Sequence, residues 1–344
     1  MKIACCSISY IPKVLLSVCL GLGVTLFLYE REFNLGQVIL IPFTFVEVLS
    51  DVLAILFMAM KDFAFTLRYR MMCRPSLLSW KGAIRTNYLC EFTSAVTPSA
   101  VGGSALIMAY LYREGITVGR GVAVMISTLF LDELLFVLVT PVCLMLFPSS
   151  ELFNLPMGLS SGLRYAFASV YILIVLYVGL LYVALFKRPD LIQKILMKLV
   201  KLPLLHRYES AAQHFTEDLA VSGTEMKSQS FYFWIKVFAL TVWGWLSRYA
   251  VACVLFMPFI PSGKQLLVLC RQLVLWIVMM IAPTPGGSGV SEYLFTQYYS
   301  DLSVSAGEIL FITCFWRILT YYIYLFVGFS ILPSWMKKAK QCTL

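Results

Sequence analysis

The chain has 344 residues, 60% of them hydrophobic and only 13% charged, with a mean hydropathy of +0.84. Average soluble domains carry about a quarter charged residues, and soluble cores of this size cannot hide so many apolar side chains. Soluble enzyme, disordered chain, disulfide-stapled secreted domain and coiled coil are excluded, which leaves a polytopic α-helical membrane protein.

The net charge of +9 belongs with that class rather than with nucleic acid, because membrane proteins concentrate Lys and Arg in cytoplasmic loops. No aromatic-plus-basic RNA module or zinc finger is present, so no nucleic-acid partner is expected. Both histidines, His206 and His214, sit in a charged loop. No metal site, cofactor or histidine chemistry within the membrane is expected. The ten cysteines show no paired spacing and read as small apolar side chains.

In chain order, the apolar run at 14–29 follows Lys2 and Lys13 without a small-x-small cleavage site before Glu30, and predicts an uncleaved first span. A second span is predicted at 38–60, since about 20 apolar residues cross the hydrocarbon. The next stretch, 86–112, is broken by Thr97-Pro98-Ser99-Ala100-Val101-Gly102-Gly103. Spans follow at 121–147 and 163–186. The loop 187–229 places Leu191, Ile192, Ile195, Leu196, Leu199 and Val200 at helical spacing between lysines. That pattern reads either as a helix lying on an anionic leaflet or as a connector docked on the bundle. A span at 231–256 precedes a second broken stretch, 265–299, interrupted by Pro283-Thr284-Pro285-Gly286-Gly287-Ser288-Gly289. The last span is predicted at 306–332.

The basic residues set the direction of the broken stretches. Segments 1–13, 61–85, 113–120, 187–229 and 333–344 hold 20 of the 27 Lys and Arg, whereas 30–37, 148–162, 257–264 and 300–305 hold only Arg31 and Lys264. The first set is therefore expected in the cytoplasm, with both termini, and the second outside. Residues 86–112 must then enter and leave from the cytoplasm, and 265–299 from outside. The alternative, kinks in ordinary spans, conflicts with the charge pattern.

The expected architecture is all-α, with six full spans and two re-entrant hairpins arranged as an inverted repeat. Residues 1–147 form the first half. Residues 148–230 bring an external loop, the span 163–186 and the cytoplasmic loop, and 231–344 complete the second half and a basic tail. An offset of 186 relates Arg85 to Arg271 and Gly121 to Gly307. Inverted repeats with broken helices mark transporters, with the binding site at the breaks.

The candidate binding residues follow from that arrangement. The second arm of each hairpin starts at glycines, where unpaired N–H groups and the helix dipole suit an anionic headgroup. These positions are Thr97, Pro98, Gly102 and Gly103, then Thr284, Pro285, Gly286, Gly287 and Gly289. Arg85 and Arg271 are placed to guard the two entrances. Charges inside apolar segments are costly, usually face an interior and often line a pathway. Asp132, Glu133 and Arg317 lie near mid-span and are expected to share an interior, with an ion pair between the acids and the arginine as one arrangement. Glu292 joins them, and Glu91, Arg248, Glu47 and Asp51 are further charges of the same kind. A purely structural role in pairing helices is the alternative. Arg68, Arg70 and Arg74 read as positive-inside residues first and lipid-phosphate contacts second.

At these motifs the sequence resembles the flippase-like family named after the transmembrane region of lysylphosphatidylglycerol synthase. The resemblance rests on the 97–103 block with Tyr110-Leu111 and Arg113-Glu114-Gly115-Ile116, on the 283–289 block with Val290 and Glu292, and on Arg317 and Arg68-Tyr69-Arg70. It implies a membrane-embedded fold that moves lipids with bulky polar heads between leaflets. Two departures limit it. The synthases carry a soluble aminoacyl-transfer domain after the membrane part, so that activity is not expected here. Many relatives also have an acid and an arginine just after the first Gly pair, where Ser104 and Ile107 or Met108 stand here.

The reading is a lipid flippase or translocase in the bacterial inner membrane, moving a phosphate-bearing amphiphile: a modified phospholipid, glycolipid or polyprenyl-phosphate sugar. Its partners would be membrane lipids and a lipid-modifying synthase that supplies the cargo. The chain has no Walker A motif, so ATP hydrolysis is not expected. The rivals are a secondary transporter of a small soluble anion and an intramembrane enzyme modifying a lipid head.

Overall fold

The computed structural model describes residues 44–97, 102–154, 159–187, 222–302 and 304–341, with positions 19, 23 and 30. All of the expected first span at 14–29 except positions 19 and 23, Pro98 of the first break and most of the loop 187–229 lie outside them. Helices make up most of the described residues. Four helices among them, Val118–Leu146, Ser161–Lys187, Phe231–Phe256 and Ala306–Pro333, are long and apolar enough to cross a membrane. Large apolar side chains such as Leu173, Leu176, Leu180 and Phe326 point outward, while Lys61, Arg68, Glu133, Arg271, Glu292 and Arg317 are buried. Apolar outside and charged inside is the arrangement of an integral membrane protein.

Helix α1 (Phe45–Met72) starts at a capping box, in which the Thr44 hydroxyl accepts from the Glu47 N–H and the Glu47 carboxylate accepts from the Thr44 N–H. Glu47 thus has a capping role. The helix continues well past the predicted end at residue 60. Ser50, Ala54, Met58, Lys61, Phe65, Arg68 and Met72 are all buried at spacings of three or four, one stripe along a single face. Lys61 and Arg68 therefore belong to the helix core and not to a cytoplasmic loop. Window hydropathy missed this because the charges lower the local average.

The first broken stretch forms α2 (Trp80–Val96) and α3 (Gly102–Arg113), packed on one another. A Cβ at Gly103 would overlap the Cys90 carbonyl and the Ser94 hydroxyl, so only glycine permits this approach. Then come α4 (Val118–Leu146), capped by the Thr117 hydroxyl, and α5 (Leu159–Tyr182), which ends in a π-helical turn at Val183–Lys187. Helix α6 (Phe231–Phe256), capped by Ser230, crosses α1 in the most extensive helix contact among the described residues. A Cβ at Gly244 would overlap the Phe65 ring, and this glycine sets that close crossing.

The second broken stretch forms α7 (Gln265–Met279) and α8 (Val290–Tyr298). Between them Gly286, Gly287 and Gly289 have φ of 54°, 69° and 83°, values that L side chains rarely adopt. Helix α9 (Ala306–Arg317), capped by Ser305 and Glu308, passes through a π-helical segment at Ile318–Tyr322 into α10 (Ile323–Gln341). Single π turns within helices recur at functional sites, and this one begins right after Arg317.

Candidate functional site

The two broken stretches touch. The Gly286 N–H donates to the Thr97 carbonyl at 3.0 Å. Beside it the Tyr321 hydroxyl donates to the Ala95 carbonyl at 3.1 Å and accepts from the Ser288 hydroxyl at 2.9 Å. A Cβ at Gly286 would lie 2.7 Å from the Ala95 oxygen, which excludes any larger residue at this seam. Irregular backbone inside a membrane protein is tolerated only where protein or a polar cavity surrounds it, and here both conditions hold.

A cavity of about 180 Å³ lies against the seam. Gly286, Gly287 and Arg317 line it on one side, Ser94 and Ser104 on another, and Arg68, Glu91, Asp132, Glu133 and Arg248 around the rest. Aromatic side chains separate these charges. Trp245 and Trp276 meet edge to face at 4.9 Å between centroids, and the Arg248 guanidinium sits 4.7 Å from the centre of the Trp276 ring. Charged and aromatic side chains thus share the wall, with a guanidinium held over an aromatic face.

Nearly every charge at this wall has a partner from another element. Arg68 of α1 grips Asp132 of α4, with Nη1 at 2.5 Å and Nη2 at 3.2 Å from its two oxygens. Asp132 also accepts from the Trp245 indole at 2.9 Å. Glu91 of α2 lies 2.5 Å from the Lys61 ammonium and 3.1 Å from Arg248 Nη1. Lys61 in turn is 3.3 Å from Asp62, which accepts from Asn87 and Tyr324. Such pairs are the expected response to burial, since an ion left alone in low dielectric costs several kcal/mol.

Arg317 is bonded to Glu292, with Nε at 2.7 Å from Oε1. The anticipated pair with Asp132 or Glu133 is therefore replaced by two separate arrangements, because Glu292 in α8 lies directly against α9. The other Glu292 oxygen accepts from the Gly289 N–H at 2.7 Å and the Ser291 hydroxyl at 2.8 Å. A carboxylate of the chain itself thus occupies the N-terminus of α8, which corrects the expectation of bare amides there. Arg317 Nη1 carries no hydrogen bond among the described residues, and its guanidinium stacks 4.1 Å from the centre of the Tyr321 ring.

Of the remaining expected site residues, Thr97 supplies its carbonyl to the seam, Gly102 opens α3 and Gly103 packs it against α2. The Thr284 hydroxyl is buried without a partner, and the Pro285 carbonyl accepts from the Ser288 N–H at 3.0 Å across the glycine turn. Arg85 and Arg271 lie away from the cavity wall. Arg85 of α2 bonds Glu114, just past α3, at 2.7 Å. Arg271 of α7 is fully buried and bonds Asp301, just past α8, at 2.6 and 2.7 Å, together with the Glu151 and Tyr298 carbonyls. All five of its N–H donors are engaged, so it ties α7 to the segment just past α8. Burial pushes the Asp301 carboxyl up, and the Arg271 hydrogen bonds outweigh this and hold it below the usual carboxylate range.

Sequence reasoning assigned no site role to Lys61 or Asp62 and read Arg68 as an inner-end residue. The buried stripe of α1 is the signal that places them, because Lys61 and Arg68 are seven residues apart on the face that continues from Ala54. The aromatic wall carries no such signal, since Trp245 and Trp276 read as ordinary membrane-helix aromatics.

The comparisons with known proteins bear on nearly the whole chain. The family model described as Lysylphosphatidylglycerol synthase TM region matches residues 14–328. A UPF0104 membrane protein of Archaeoglobus fulgidus is 25% identical over 244 residues, covering 69% of this chain and 71% of that one. The match includes both broken stretches, the cavity and all the ion pairs around it. The chain is a member of the family of the lysylphosphatidylglycerol synthase transmembrane region.

Proposed function

We propose that the protein is a lipid translocase that carries a phosphate-bearing amphiphile between leaflets and does no chemistry on it. The observation that carries this reading is the cavity at the seam of the two broken stretches, with paired charges of both signs and a guanidinium nitrogen left over on Arg317. A phosphate head can replace a carboxylate at a guanidinium with little change in electrostatic energy, because the exchange keeps one anion per cation. The family adds support, since the synthase that names it acts on a phospholipid. We place the protein in the plasma membrane with both termini cytoplasmic, and expect membrane lipids and a lipid-modifying synthase as its partners.

The inverted-repeat reading belongs to the same proposal. Arg85–Glu114 and Arg271–Asp301 each join the start of a hairpin to the residue just past its end. Helix α10 packs on α2 as α4 packs on α7, and α3 packs on α4 as α8 packs on α9. Corresponding elements thus meet corresponding neighbours. Two hairpins entering from opposite faces would let the seam serve either side in turn.

Reconstitution into liposomes with labelled candidate lipids tests the proposal. The wild type is expected to equilibrate an anionic phospholipid faster than empty vesicles, and Arg317→Ala to slow it by about tenfold or more, the effect of about 1.4 kcal/mol on a barrier. Equilibration no faster than in empty vesicles for every lipid would refute it. A soluble organic phosphate taken up in place of lipid would turn the reading to a solute transporter.

A further inference from the structure

Glu133 differs from every other carboxylate at the cavity. It lies near the middle of α4, is 7% exposed and lines the cavity beside Asp132. Its Oε2 is buried without a hydrogen-bond partner, and no ion pair reaches it among the described residues. Asp132 has Arg68, Glu91 has Lys61 and Arg248, and Glu292 has Arg317. The Tyr249 hydroxyl on the same wall is also buried without a partner.

The groups that face Glu133 explain why none neutralises it. On its own helix the neighbour is Asp132, of the same sign. Tyr249 of α6 and Tyr177 of α5 feel its charge and supply hydroxyls only. Arg68 of α1, Arg248 of α6 and Arg317 of α9 are held by Asp132, Glu91 and Glu292. Helix α3 brings Ser104 and Ile107 to the wall, and α7 brings Gln272, Leu275, Trp276 and Met279, all of them uncharged. A bare carboxylate in such surroundings takes up either a cation or a proton. A hard metal cation needs a shell of about six oxygen ligands, and among the described residues no cluster of three His, Cys, Asp or Glu is placed to hold a metal.

We propose that Glu133 is a proton-carrying site that couples transport to a proton gradient, an inference that rests on the translocase reading. A proton from water on one side adds to the carboxylate, and the same proton leaves to water on the other. The sign of the coupling follows from charge. Ionised Glu133 repels an anionic head in the cavity, and protonated Glu133 does not. Cargo and proton therefore enter together and leave together, and the acid side feeds the alkaline side. At one proton per monoanionic cargo, the lipid would accumulate up to about tenfold per unit of pH gradient.

The test uses full-length protein in vesicles, with two readouts. The first, without labelled lipid, is the infrared band of protonated carboxyl groups followed through a pH titration. A component present in the wild type, absent in Glu133→Gln and retained at a shifted pH in Glu133→Asp supports the proposal. The second is the leaflet distribution of labelled phosphatidylglycerol under an imposed pH gradient. Enrichment on the alkaline side by the wild type, lost in Glu133→Gln, supports it. Coincident titrations of wild type and Glu133→Gln, or equal enrichment by both, would overturn it. Elution volume and helical circular dichroism establish that each variant is folded. A wild type that shows the infrared component but moves no lipid would sink the translocase reading while leaving the proton site standing.

Discussion

At the scale of single residues, the molecule is organised by charges that neutralise one another across helices. Arg317 and Glu292 are the most deeply buried of the cavity pairs, with side chains 7% and 1% exposed. Removing one member strands the other, at a cost of about 3–5 kcal/mol, whereas replacing both by neutral residues of similar size costs much less. Thermal unfolding in detergent should therefore show Arg317→Met to be more damaging than the double variant Glu292→Gln/Arg317→Met. A double variant at or below the single one would deny the pair any mutual dependence. Six of these charges, Glu91, Asp132, Glu133, Arg248, Glu292 and Arg317, were legible as ions within apolar segments. Who holds whom was not, because Arg68 and Asp132 are 64 residues apart and Arg248 and Glu91 are 157 apart. Pattern along a helix reports which face is buried, and not which helix comes to meet it.

At the scale of elements, glycine decides how closely helices approach. Gly244 sits under the Phe65 ring where α6 crosses α1, and Gly328 of α10 sits under the Phe92 side chain of α2. Gly179 of α5 has no atom within 4 Å of the space its Cβ would fill. Adding a methyl to a filled crossing costs about 1–3 kcal/mol, while glycine to alanine on an open helix face gains up to about 1 kcal/mol. Gly244→Ala is thus expected to lower the unfolding temperature and Gly179→Ala to hold or raise it. Equal shifts for the two would show that the crossing has slack. The element boundaries were partly legible. The span 231–256 matches α6, the interruption at 283–289 falls between α7 and α8, and that at 97–103 starts just past α2 and ends in the first residues of α3. The end of α1 was lost because its second half carries Lys61, Asp62, Arg68 and Arg70. The π segment after Arg317 left no trace, since π turns arise from packing and not from composition.

At the scale of the whole molecule, polar clamps hold the ends of the bundle. Glu225, just before α6, is bonded by Arg74 beyond α1 and by Arg120 at the start of α4. The Arg120 hydrogen bond, aided by the charges of Arg120 and Arg74, outweighs burial and holds the Glu225 carboxyl below the usual range. A carboxyl depressed in this way stabilises the fold above its unfolded value of about 4.3, and the contribution fades as pH falls through the lower folded value. Stability measured between pH 7 and pH 3 should therefore decline less steeply in Glu225→Gln than in the wild type. Parallel curves would remove the clamp from the account. The meeting of the two broken stretches was foreseeable from the sequence, because loop charges and paired Pro/Gly blocks both point to it. The carboxylate seated on the α8 terminus was not, since Glu292 reads equally well as a cargo ligand and as a cap.

The bond from Gly286 to the Thr97 carbonyl runs from main chain to main chain. No change of side chain on the Thr97 side can erase it, and at position 286 only proline would remove the donor. On the Thr97 side the junction is thereby insulated from mutational drift, while on the other it needs glycine. Side chains around the cavity can change while the joint between the two broken stretches stays the same.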